Sequence, residues 1–265
     1  NKADLQVISD GTLSMSAAIA NAHIADILNA YNLSILKERG TFKTATLKQL
    51  PQVDARVRVA YNPNFTNAWF SSLLELFNMI TMISVLLTAA ALVREKEHGT
   101  LEQLMITPLR PIELFIAKIV PTVVIVSLFS LIPLFGVISG IFGVPLRGNL
   151  LFFYIVSIVY IFIMSGLGLT IAIFARNIAQ ATLMLLLIIF PMMFLSGSFT
   201  PPESMSTWMR HASLLSPMRY YIDFGFQVLF KGNGFIYVWP DIVGIIIFGV
   251  IIFSISIHYF QRFYR

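Results

Sequence analysis

The sequence contains no cysteine. Disulfides, thiolate metal sites and a cysteine nucleophile are thereby excluded, while the compartment is left open. Charge is scarce as well. Asp, Glu, Lys and Arg make up 12% of the 265 residues, against about 25% in an ordinary soluble domain. A basic-then-apolar leader is missing at the N-terminus, and the first residue is Asn1. The chain therefore reads as starting after something else. The Gly-rich phosphate loop of P-loop ATPases does not occur. Four histidines, at 23, 98, 211 and 258, are scattered without a pair at metal-ligand spacing. Gly197-Ser198 lacks the Gly-x-Ser-x-Gly context of a hydrolase nucleophile. No metal site, catalytic residue or cofactor is expected in this chain.

What the sequence has in abundance is apolar surface: 57% hydrophobic residues and a mean hydropathy of +0.80. Charge is concentrated in the first sixty residues, whereas 119–146 holds none. Five apolar segments run at roughly 70–93, 114–142, 150–174, 180–199 and 240–260. A bilayer core needs about 20 apolar residues in a helix, and no soluble mass is left to bury five such segments. The expected fold is an α-helical integral membrane protein with five spans and a small extracytoplasmic α/β domain. The domain is assigned to 1–65 and the membrane part to 66–265.

In 1–65, Asp4 to Ile8 is a strand candidate stopped by Asp10-Gly11. A helix capped by Thr12 or Ser14 would bury Ala20, Ile24, Ile27, Leu28 and Tyr31, and Gly40 would end the helical region. Val53, Ala55, Val57 and Val59 then alternate with Asp54, Arg56 and Arg58, the period of a half-buried strand.

Lys and Arg in short loops set orientation. Arg94, Lys96, Arg110, Lys118, Arg176, Arg262 and Arg265 fall on one side, and Arg147, Arg210, Arg219 and Lys231 on the other. The richer side is assigned to the cytoplasm, which puts 1–65 outside and the C-terminus inside. A folded domain that begins outside implies one earlier span before residue 1, making six. The net charge of +5 reads as this orientation bias rather than as nucleic-acid binding, since no basic run with interleaved aromatics occurs. Trp69, Phe70, Tyr154, Tyr237, Trp239, Tyr259 and Tyr264 lie near the expected interfaces, where amphipathic rings favour the headgroup level.

The inner loop 94–113 opens with Arg94-Glu95-Lys96-Glu97-His98-Gly99-Thr100-Leu101-Glu102-Gln103-Leu104. Thr100 and Gln103 form a capping-box pattern. Leu101, Leu104 and Met105 give the short helix an apolar face, and Pro108 and Pro111 end it. Such a helix suits docking into a groove on a soluble partner, or merely connects two spans along the interface. These residues, with Thr107-Pro108 and Lys118, resemble the first cytoplasmic loop of ABC-2 type permeases, the membrane subunits of bacterial ABC exporters. A second match runs through Leu195-Ser196-Gly197, Pro201-Pro202, Met205, Trp208 and Ser216-Pro217-Met218-Arg219-Tyr220. It is similar to that family's external segment between the last two spans, here 199–236, and differs at Ser206, where the family more often has Pro.

The resemblance implies a bacterial inner-membrane permease of the drug-export-like branch. It implies a coupling helix at 94–104 seated on an ATP-binding cassette subunit, present in two copies with its ATP and Mg. It further implies a second permease subunit, identical or homologous, and leaves room for a periplasmic adaptor.

The spans hold almost no ionisable residues, so energy must come from elsewhere than ion coupling. Glu75 is the one charge with a claim to line the path, together with Met79, Phe190, Met193 and Phe194. Lys118 is expected to snorkel to lipid headgroups. Walls supplied from 11 Met and 23 Phe suit amphipathic, drug-like or lipid-like cargo. Pro121, Pro133, Pro191 and Gly166-x-Gly168 interrupt the spans, either as hinges or as packing features. Two competitors remain: an enzyme acting on lipid at the external face through Glu203, Arg210, His211, Arg219 and Asp223, and a membrane scaffold or sensor. Against the first, those five residues also suit a polar network bracing the external segment.

Overall fold

The computed structural model describes residues 3–10, 14–38, 53–60, 67–100, 111–199 and 205–263. The chain divides into two units, Asn1–Phe70 and Ser71–Arg265. In the first, strand β1 (Ala3–Asp10) is followed by helix α1 (Ser14–Glu38) and strand β2 (Val53–Ala60). The strands pair in parallel, from Ala3 beside Val53 to Asp10 beside Ala60. Parallel neighbours need a long crossover, and α1 supplies it. Among the described residues the apolar face expected on α1 is largely uncovered: Ile27 and Tyr31 are 66% and 54% exposed, Ala20 is exposed, and Ile24 and Leu28 are half-buried.

The second unit is helical. It contains α2 (Asn67–Glu97), α3 (Pro111–Leu131) continuing as π-helix over Ile132–Ile141, α4 (Leu150–Phe174) and α5 (Ile178–Leu195). The short helices α6 (Thr207–Ser213) and α7 (Pro217–Gly225) follow, with a π-helical turn over Phe226–Phe230, and then α8 (Phe235–Phe263). Five of these helices are long and apolar enough to cross a membrane. Each of the five hydropathy segments falls on one of them.

Their ends have local causes. The Asn149 side chain accepts from Phe152 N at 3.1 Å and caps α4. Gly99, at φ 68, closes α2 in the left-handed conformation that glycine tolerates. Pro217 opens α7 at a position where its missing N–H costs nothing. Pro121, Pro191 and Pro240 stand inside helices, and Pro133 lies at the start of the π-helical stretch.

Helices α2 and α4 form the centre. Their spans are 61% and 50% buried, against 22% or less for the other three. The buried face of α2 is hydroxylic. Thr81 Oγ1 meets Tyr160 OH of α4 at 2.8 Å, and Thr88 Oγ1 donates to Thr122 of α3 at 3.1 Å. Between helices in lipid, small residues and such bonds replace the hydrophobic drive that water would supply. The glycines of α4 belong to the same packing. A Cβ on Gly168 would overlap the Val85 carbonyl of α2, and one on Gly166 would press on Phe253 of α8. Gly168→Val is expected to destabilise the bundle by about 1–3 kcal/mol, read as a lower thermal midpoint of the purified protein. Gly136→Ala, where a methyl meets nothing within 4 Å, is not expected to lower it.

Candidate functional site

The charged segment at the end of α2 divides its side chains into two sets. Glu95 and Lys96 are half-buried against neighbouring helices, and Glu97, though exposed, bonds the start of α5. Glu95 forms an ion pair with Lys118 of α3. Lys96 Nζ donates to the carbonyls of Ala172, Ile173 and Ala175 at 2.8, 2.9 and 2.8 Å. Glu97 Oε1 accepts from Ile178 N at 3.0 Å. Arg94, His98, Gly99 and Thr100 are exposed. One reading is corrected here. Lys118 is paired inside the chain instead of reaching for headgroups, because the Glu95 carboxylate supplies a fixed counter-charge. Thr100, past the turn at 98–99, has helical backbone, and its Oγ1 donates to the Glu95 carbonyl at 3.2 Å. The remaining expected docking residues, Leu101, Glu102, Gln103 and Leu104, lie outside the described residues.

The five residues expected along the path lie on two helices. Glu75 is exposed on α2, and Met79 on the next turn is 44% exposed. Phe190 and Phe194 are 50% and 56% exposed on α5, with Met193 half-buried between them. A polar contact brings the two helices together at this level. Ser198 Oγ, just past α5, donates to Asn78 Oδ1 of α2 at 3.1 Å, and Ser196 joins Ser198 at 2.8 Å.

The segment 199–236, expected to be external, packs into the bundle through α7. Tyr221 is fully buried, stacked on Tyr160 at 3.8 Å, and donates to Ser157 at 3.0 Å. The Phe77 ring sits edge-on to Tyr221 and Phe226 at 5.4 and 5.6 Å, against Gly225, where a Cβ would strike it. Arg219 bonds Ser213, reaches the Arg210 carbonyl at 3.3 Å, and lies 3.8 Å from Asp223. Tyr220 donates to the Leu214 carbonyl at 3.1 Å. Met205 and Pro217 are buried, Gly197 adopts φ 93, and Trp208 is 70% exposed. His211 is exposed and its Nδ1 meets the Thr207 carbonyl of its own helix at 2.7 Å. Pro201 and Glu203 lie outside the described residues.

A model of the ABC-2 family transporter protein matches residues 1–258. The chain belongs to the ABC-2 transporter family. The inner membrane transport permease YhhJ of Escherichia coli (strain K12) is 31% identical over 260 residues, covering 98% of this chain and 68% of that protein. The probable multidrug ABC transporter permease YbhR of the same organism is 31% identical over 241 residues, covering 91% and 63%. YbhS, also a probable multidrug ABC transporter permease there, is 28% identical over 233 residues, covering 87% and 60%. The chain thus spans roughly two thirds of the length of these relatives. It is a multi-pass membrane protein of the permease type, and its family implies an ATP-binding cassette partner.

In this ABC-2 chain, sequence reading placed a short loop at Arg176 between α4 and α5 but missed how it is capped. Asn177 Oδ1 accepts from Gln180 N at 2.8 Å, and Gln180 Oε1 accepts from Arg176 N at 2.9 Å. The spacing Asn177-x-x-Gln180 is a capping-box pattern and was available as a signal. No local pattern tells that Lys96 and Glu97 reach this turn. Arg219→Ala is expected to speed amide exchange across 207–230 by about tenfold, because Ser213 and the Arg210 carbonyl lose their donor. His211→Ala, whose ring meets only its own helix, is expected to leave that exchange unchanged. Exchange mass spectrometry of both variants reads the difference.

Proposed function

We propose that this permease is the membrane subunit of an ATP-driven exporter of amphipathic, drug-like or lipid-like cargo. Two ATP-binding subunits dock at the segment 94–104, and a second permease, identical or homologous, completes the pathway. In this reading the end of α2 faces the cytoplasm, residues 1–65 lie outside, and the C-terminus lies inside. The observation that carries it is the division of the charged segment. Glu95, Lys96 and Glu97 bond α3, α4 and α5, while Arg94 and His98, on either side of them, stand exposed. A lever needs both properties: a free surface for its partner and a stiff attachment to the spans it moves. Exposed apolar side chains on α5, among them Leu187 at 77% and Phe190 at 50%, suit an apolar cargo or a second subunit.

The test uses the full-length permease with its ATP-binding partner in lipid. Arg94→Glu together with Glu102→Lys reverses charge on the docking segment without touching Glu95, Lys96 or Glu97. The expected result is loss of the co-purifying ATPase, or a drop of about tenfold in permease-dependent ATP turnover, as charge reversal at an interface costs several kcal/mol. Unchanged assembly and unchanged turnover would remove the docking assignment.

A further inference from the structure

Lys96 and Glu97 are neighbours in sequence, and they hold the two sides of one turn. An ammonium carries three N–H donors, and Lys96 places them on Ala172, Ile173 and Ala175. These carbonyls belong to the end of α4, where a helix leaves its last acceptors without intrahelical donors. Glu97 accepts from Ile178 N, in the first turn of α5, where donors are likewise left over. The charges match the helix ends, cation at the C-terminus and anion at the N-terminus. The turn itself is closed by Asn177 and Gln180. Its backbone is therefore stiff internally and joined at both sides to the end of α2.

Resting on the exporter reading, we propose that Lys96 and Glu97 are positioning residues that latch the α4–α5 turn to the docking segment. A push on that segment then travels through the turn into α5, the helix that carries Phe190 and Phe194. The turn is thus a second inner element driven by ATP, although its own sequence lacks any amphipathic docking helix. A cap that served stability alone would leave α5 free to move independently of the loop.

These 265 residues hold no cysteine, so labelling sites introduced among them compete with no native thiol there. Spin labels at His98 and Arg176, both exposed, read the latch. Labels at Leu187 on α5 and Ile251 on α8, 77% and 46% exposed, read the movement of α5. Measurements use the full-length permease–ATPase complex in lipid, with and without Mg-ATP and vanadate. Ile178→Pro deletes the donor to Glu97 without altering charge. Proline is tolerated at the first helical position, and Asn177 before it is extended at φ −146, ψ 167, as proline requires. Lys96→Met deletes the other half, and Lys96→Arg keeps a cation with several donors.

In the native sequence the His98–Arg176 distribution is expected to be narrow and the Leu187–Ile251 distance to shift with nucleotide. In Ile178→Pro and in Lys96→Met the first should broaden and the second should shrink by about fivefold or more, the scale of a modest coupling energy. Lys96→Arg should restore part of both, and the ATPase should still co-purify with Ile178→Pro. A full-sized nucleotide shift in Ile178→Pro and Lys96→Met overturns the latch alone. No nucleotide shift in the native sequence overturns the exporter reading and the transmission together.

Discussion

A polar group inside a hydrocarbon layer has no water to bond, so it must find its partner within the protein. That shortage organises the helix bundle at every level. Along α2 the hydroxyls of Thr81, Ser84 and Thr88 bond carbonyls one turn back, and Thr81 and Thr88 also reach α4 and α3. Thr170 and Ser256 do the same between α4 and α8. Where α2, α4 and α5 end side by side the problem becomes acute, because helix ends expose carbonyls and amides in numbers. Lys96, Glu97 and Asn177 answer it there.

The same solution limits what this end of α2 can do. A charged side chain that must satisfy three carbonyls cannot also swing freely toward a partner. Lys96 and Glu97 are consequently structural at their tips, although they sit in the segment that resembles a docking helix. Arg94 and His98, one turn apart and exposed, are left for contact. Stiffness and accessibility are divided between neighbouring residues of a single helix end.

At the other end of α7's packing, aromatic rings take over from ions. Phe77, Phe153 and Tyr160 surround Tyr221 of α7, with ring centroids 3.8 to 6.4 Å from its own. Such rings supply large apolar area with a definite geometry. Phenolic hydroxyls need a partner when buried, and Ser157 and Thr81 provide them. The α7 segment is held by burial, and Arg219 braces the turn that leads into it.

The spans were legible from sequence because hydropathy is additive along the chain and a bilayer sets the required length. The ABC-2 resemblance was legible because its motifs, at 94–104 and 195–220, are contiguous. Gly166 and Gly168 were named as small residues permitting close approach, and both turn out to lie against neighbouring helices. The apolar face read on α1 is largely uncovered among the described residues, since periodicity tells which residues share a face but not what covers it. Lys96 and its acceptors are 76 to 79 residues apart, Glu97 and its donor 81. The chain's composition determined that it lives in a membrane and how many times its described helices can cross. Only the tertiary structure decided which charges are spent on helix ends and which remain for a partner, because that choice depends on which ends the folded bundle brings side by side.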